Sequence, residues 1–363
     1  MIVANLVHRP VRSLISILAV ALEVTLILLI VGLSLGILND AKQRQAGIGA
    51  DVIVMPPGSS FIVGLTGAPM SIKVGDLLKK VPHAQVVAPV ITTLSTAGAL
   101  ELIAGIDLKT YEALRPFHYL AGGPFQGPYD VLVDDLFAKS QHVEVGDKVE
   151  ILNHEFRVSG IVEQGKGARK FVPLATLQDL IGAQGKASLF YLKLDDPRYT
   201  DQVVDEIKHI PGMGRYVVTS MSYYLSMMTP SNYPGLSSFI TVVIIISVVI
   251  GFIVIFQAMY AAVMERTREI GILKSLGASK LYIVNIILRE TALLALGGIV
   301  TGIVISLLAR WGILHRLPLL RVNVTGGWIL RATIIAIVGA LAGAIYPAYK
   351  AAQKDPIDAL AYE

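Results

Sequence analysis

Residues 264–290 read MERTREIGILKSLGASKLYIVNIILRE. The charges sit between two long apolar runs, one ending at Met264 and the next beginning near Leu281. A helix needs roughly 20 apolar residues to cross a bilayer core, and both neighbouring runs exceed that length. The quoted stretch is therefore predicted to be a tight turnaround on one membrane face. It is too short for chemistry of its own, but it is placed to dock a soluble partner and to pass force into both flanking helices.

Working outward, four apolar windows emerge. Residues 14–38 carry Glu23 as their one charge, and 236–263 carry none. Residues 281–309 are interrupted by Arg289 and Glu290 near their start, and 329–349 hold Arg331 at the edge. Four transmembrane helices are predicted. The whole chain is 54% hydrophobic and 16% charged with mean hydropathy +0.63, which excludes an ordinary soluble domain. Net charge is +4, but the basic excess lies beside membrane ends, so nucleic acid is not expected as a partner. There is no cysteine, hence no disulfide framework. The first window is too long for a signal core and is read as a retained anchor.

Basic residues set the orientation. Arg9 and Arg12 precede the first span, Arg266, Arg268, Lys274, Lys280 and Arg289 lie in the turnaround, and Lys350 and Lys354 follow the last span. Arg310, Arg316, Arg321 and Arg331 oppose them from the other face. The majority places both termini and the turnaround in the cytoplasm. The expected organisation is a cytoplasmic N-terminus and first span over 1–38, an extracytoplasmic core domain over 39–235, and three further spans over 236–363. The last part includes a coupling segment at 264–280 and a C-terminal tail.

The 39–235 segment reads as mixed α/β. Residues 51–55, 85–93 and 100–106 look like strands and 75–81 like a helix, with a Pro-Pro-Gly-Ser-Ser stretch at 56–60. After Gly122-Gly123 the texture changes to short strands at 130–133, 148–152 and 156–162, separated by Gly-Asp and Asn-His turns. Strand, helix and strand return at 189–194, 201–209 and 216–219. The reading is one large extracytoplasmic α/β domain carrying a β-rich insert over about 107–186.

Within the spans, Gly32/Gly36, Ser247/Gly251, Gly298/Gly302 and Gly339/Gly343 are small-xxx-small pairs that let backbones approach, favouring a compact bundle. Glu23 is costly in a membrane. Burial in a helix contact, protonated or bonded to a neighbour such as Gln257, outweighs a proton relay. No G-x-x-x-x-G-K-[ST] phosphate loop occurs, His154-Glu155 lacks the second His of a zincin, and there is no G-x-S-x-G turn. No catalytic, cofactor or metal residues are expected on this chain, and a membrane-bound hydrolase has no supporting constellation.

In 265–278, Ile270, Leu273 and Leu276 fall near one helical face and Arg266, Glu269 and Lys274 around the others, while Gly271 and Gly277 mark close approach or a cap. A short interfacial helix ending at Gly-Ala is predicted. Residues 264–280 resemble the E-R-T-R-E-I-G-I-x-K-x-x-G-A segment of the MacB/FtsX-like permeases, the membrane subunits of type VII ABC transporters. The likeness runs end to end. It includes Asn5-Leu6 with Arg9, Arg12 and Ser13, Gly49-Ala50-Asp51, Asp130–Asp135, Val145-Gly146-Asp147, residues 171–174, Pro347-Ala348, Ala351-Ala352, Asp355-Pro356 and Ala359-Leu360.

The resemblance implies a homodimer paired with two copies of a cytoplasmic ABC ATPase subunit, which carries the ATP and Mg. It implies that Glu265, Arg266, Glu269, Gly271, Lys274, Leu276, Gly277 and Ala278 couple to that ATPase. It further implies that closure of the ATPases is relayed to the outer domain of a bacterial inner-membrane protein, which would move a lipophilic or peptide substrate for export or extraction, with a periplasmic adaptor and outer-membrane channel as expected further partners beside membrane lipid. Many drug-handling members carry the ATPase on the same chain, and this sequence does not show it. The competing reading is a signalling platform that activates an extracellular cell-wall hydrolase. The roughly 200-residue outer segment, larger than that branch requires, favours transport.

Overall fold

The computed structural model describes residues 10–59, 68–95, 101–233 and 235–354. Asn5-Leu6, Arg9, Ser60 and the segment holding Asp355-Pro356 and Ala359-Leu360 lie outside the described residues. The chain divides into two compact units. One comprises 1–36, 234–316 and 320–363; the other comprises 37–233 with 317–319.

The first unit is a helical bundle. Four helices are long and apolar enough to cross a membrane: a first span within Pro10–Ala46, a second at Leu236–Glu265, a third at Lys280–Arg316 and a fourth at Gly326–Gln353. Their shared core joins Val20, Val24 and Ile27 to Ile255, Met259, Ala295 and Ile299, with Ala336, Ala340 and Ala344 from the fourth span. Lipid offers no hydrophobic driving force between helices, so close backbone approach has to supply the contact. A Cβ on Gly298 would lie 2.5 Å from Val20 Cβ, and one on Gly302 2.7 Å from the Ala21 carbonyl. At Gly343 the Phe252 carbonyl would be 2.8 Å away.

Gly32 and Gly36 serve differently from a helix–helix seam. They seat the loop between the third and fourth spans: Asn323 N donates to the Gly32 carbonyl at 2.7 Å, and the Arg321 carbonyl occupies the space a side chain at Gly36 would need. Glu23 is buried at 3% exposure, with its carboxyl pressed against Gly251 of the second span and 3.8 Å from the Cβ position of Gly339. Gln257, expected as a neighbour, is exposed, and Glu23 Oε1 has no hydrogen-bond partner among the described residues. The glycines admit the acid sterically.

The second unit is a mixed α/β domain. Among the described residues, a ten-stranded sheet runs in the order Val217–Ser220, Val52–Met55, Leu189–Leu194, Ala84–Ser95, Glu101–Ile106, Lys170–Pro173, Asp130–Asp134, His154–Val162 and Tyr119–Gly122, with Lys148–Ile151 paired to His154–Val162. The pairs Glu101–Ile106/Lys170–Pro173 and Asp130–Asp134/His154–Val162 are parallel, and the others are antiparallel. Val52–Met55 is buried at every position, as a run of β-branched residues covered on both faces requires.

Residues 107–186 supply five strands of this sheet and three short helices, Leu108–Leu114, Asp135–Gln141 and Leu174–Leu180. The helices escaped the sequence reading because each is two turns or fewer. Their caps were the available signal for two of them: Asp107 accepts from Thr110 N at 3.2 Å and Asp134 from Phe137 N at 2.7 Å. One apolar core packs Val54, Phe190 and Leu192 under Val74–Leu78 and Thr200–His209; a second packs Ile103, Val131 and Phe156 under Asp135–Gln141 and Leu174–Leu180.

The last turns of the first span, from Ile37 on, belong to this second unit. Arg169 bridges them to the sheet, reaching Asp40 at 2.9 Å and the buried Asp134 at 3.0 Å, while Arg44 pairs with Asp40. Tyr191 donates to Gln45 Oε1 at 2.9 Å, and Gly167 N to the Arg44 carbonyl at 2.9 Å.

Candidate functional site

The turnaround folds as a short helix, Thr267–Ser275, between the second and third spans. Arg266 breaks the preceding helix with φ −108. Thr267 Oγ1 then donates to the Met264 carbonyl at 2.8 Å and the Val263 carbonyl at 3.2 Å, which satisfies acceptors that a helix end leaves open. At the other end Gly277 N bonds to the Lys274 carbonyl and Ala278 N to the Leu273 carbonyl, each at 3.0 Å, with Gly277 at φ +92. This is a Schellman stop, and the left-handed position is why glycine stands there. Ser279 Oγ accepts from Tyr282 N at 3.2 Å and starts the third span.

This short helix is fastened to all three later spans. Thr267 holds the second. Arg266 Nη1 lies 3.1 Å from Glu290 Oε2 on the third, both side chains nearly closed to solvent. Lys274 Nζ donates to the Ala352 carbonyl at 3.0 Å and to the Lys354 carbonyl, capping the end of the fourth. Ile270 is buried and Leu273 packs on the bundle core. A cation at a helix C-terminus also meets the negative end of the macrodipole.

Sequence reasoning placed Leu276 with Ile270 and Leu273, and the structure corrects this. The helix stops at Ser275, so Leu276 leaves the inner face and is 80% exposed. Leu281, Tyr282 and Ile272 are likewise exposed, and Glu265, Arg268 and Glu269 accompany them. Of the eight residues expected to couple, Arg266, Gly271 and Lys274 face inward or are engaged, whereas Glu265, Glu269, Leu276 and Gly277 are exposed and Ala278 packs partly on the core. The Arg266–Glu290 and Lys274–Ala352 links were missed because the partners are 24 and 78 residues apart. No local spacing announces them. Among the described residues no cluster of His, Cys, Asp and Glu could hold a metal ion.

Residues 13–210 match the MacB-like periplasmic core domain family and residues 241–356 the FtsX-like permease C-terminal family. The chain belongs to the MacB/FtsX-like permeases. It is 27% identical over 233 residues to an uncharacterized ABC transporter permease of Methanocaldococcus jannaschii, covering 61% of this chain and 58% of that protein. It is 28% identical over 247 residues to the macrolide export ATP-binding/permease protein MacB of Salmonella typhi, covering 63% of this chain and 37% of that one. Among solved structures, the periplasmic region of MacB from Actinobacillus actinomycetemcomitans aligns with TM-score 0.40 and 17% identity over 52% of this chain and 97% of that one. The family, from its two matching models, and the four membrane-length helices among the described residues agree with the sequence reading.

Proposed function

We propose that this permease couples ATP hydrolysis by a separate cytoplasmic ABC ATPase to movement of its α/β domain outside the membrane, driving export or extraction of a lipophilic or peptide substrate. The observation that carries this is the build of the coupling helix. Its inner face is riveted to three spans, while its outer face offers exposed Ile272, Leu276, Leu281 and Tyr282 among charges. Exposed apolar side chains rimmed by charge fit a protein partner, and a rivet to every later span turns a push on one helix into a push on all. The working assembly is a homodimer with two ATPase copies that bind ATP and Mg, with both termini cytoplasmic and an adaptor and outer channel as further partners.

Leu276→Asp and Glu269→Lys, both at exposed positions, are expected to leave membrane insertion intact. Each should lower permease-stimulated hydrolysis by the co-purifying ATPase at least about ten-fold, a loss of roughly 1.4 kcal/mol or more in coupling. Undiminished stimulation and cargo release in both variants would remove the coupling helix from the mechanism.

A further inference from the structure

The α/β domain carries a cleft of about 950 Å³ to which no role has been given. Its floor is Val87 and Pro89 of Ala84–Ser95, Phe190 of the adjoining strand, and Ile106 at the end of Glu101–Ile106. The sheet itself makes the opening. Glu101–Ile106 pairs with its neighbour from Val90 onward only, so among the described residues Ala84–Pro89 has no strand beside it on that side. The chain instead leaves at Ile106 and turns into the helix capped by Asp107.

The walls are built rather than loose. Val74–Leu78 touches the floor so closely that a Cβ on Gly75 would lie 2.9 Å from Phe190 Cε1. Opposite, Thr176 Oγ1 on Leu174–Leu180 donates to the Pro128 carbonyl at 2.7 Å, tying the rim loop down, and Gln178 Nε2 donates to the Lys186 carbonyl at 2.6 Å. The cleft is therefore preformed and of the size that takes a drug-sized molecule.

Its charged lining residues are Asp76, Lys79 and Asp107. Asp76 and Lys79 face each other at 3.4 Å and cancel. Asp107 remains: it accepts from Thr110 N and Thr110 Oγ1, and among the described residues no cation pairs with it. An apolar floor beneath a single uncompensated carboxylate complements one kind of occupant. We infer that this cleft of the α/β domain binds an amphipathic organic cation, its apolar body against the half-buried Pro89, Leu108 and Leu174 and its positive group at Asp107. Its role as the cargo site rests on the transport reading; the binding itself does not.

The test uses the full chain in lipid nanodiscs, with empty discs subtracted and no ATPase or nucleotide present. Fluorescence polarisation of rhodamine 6G, a lipophilic cation, reads binding, and fluorescein serves as the anionic counterpart. Ala175→Trp, on an exposed wall position, should weaken rhodamine 6G binding at least about ten-fold by filling the cleft. Asp107→Asn keeps a good helix cap but removes the charge, and should weaken it about three- to five-fold. Fluorescein should bind at least about ten-fold more weakly than rhodamine 6G.

Unchanged binding in Ala175→Trp, or equal affinity for both dyes, would overturn the proposal. Should Ala175→Trp fail to fold, Asp107→Asn decides: no change in its affinity overturns the proposal as well. Leu276→Asp is expected to bind rhodamine 6G like the unmodified chain, so failure of the coupling reading and failure of this one are separable.

Discussion

Arg266 and Glu290 show what a single pair does at a membrane boundary. Each alone would be a buried charge, and removing one partner of such a pair costs about 3–5 kcal/mol, while replacing both with apolar residues is often neutral. Arg266→Met is therefore expected to lower the thermal unfolding temperature of the purified permease sharply. The double variant Arg266→Met/Glu290→Leu should recover most of the loss, and equal losses in the two variants would show that the pair does not act as a unit. Lys166 in the α/β domain is a second case. Its ammonium donates to the Arg115 carbonyl at 2.8 Å, and burial, aided by repulsion from Arg115 and Lys193, pushes its pKa down from 10.5 to about 8. The unfolded chain keeps that proton up to 10.5, so between those limits the unfolded state binds more protons and stability rises with pH. The unfolding temperature of the unmodified chain relative to Lys166→Met should climb by about 2 °C or more from pH 8 to pH 10, and a flat difference would contradict the shift.

At the scale of elements, the spans and most strands were legible because their signals are local. Uninterrupted apolar length names a membrane helix, and alternation in Lys148–Ile151 or a Val-rich run in Val52–Met55 names a strand. What was illegible depends on partners distant in sequence. The pair Gly32/Gly36 reads identically to Gly298/Gly302, yet one seats a loop and the other a helix, and only the fold distinguishes them. Leu276 was misplaced because one residue past a Schellman stop the helical wheel no longer applies. The Gly298 contact carries a prediction of its own. With Val20 Cβ and the Ile17 carbonyl at 2.5 and 2.8 Å from the Cβ position, Gly298→Leu should force the first and third spans apart, an overpacking cost of about 1–3 kcal/mol. It should appear as a lower unfolding temperature in detergent, while Gly312→Leu, where a Cβ meets nothing, should be neutral.

For the whole molecule, the orientation proposed from basic residues is directly measurable, since the sequence has no cysteine. A single cysteine in place of Ser275 should resist an impermeant maleimide in intact cells and react after permeabilisation, whereas one in place of Lys148 should react at once. The reverse pattern would invert the protein and end the coupling proposal. The first span adds a constraint of a different sort. It runs as one helix from Pro10 to Ala46, past Gly36, to the Asp40–Arg169–Asp134 cluster. A helix advances about 100° per residue, so Asp40 and Arg44, four apart, share one face: one residue more or fewer between them would swing Arg44 about a quarter-turn away from Asp40. That single turn is the ruler of the cluster: a deletion inside it would break the ion pairs without altering a strand.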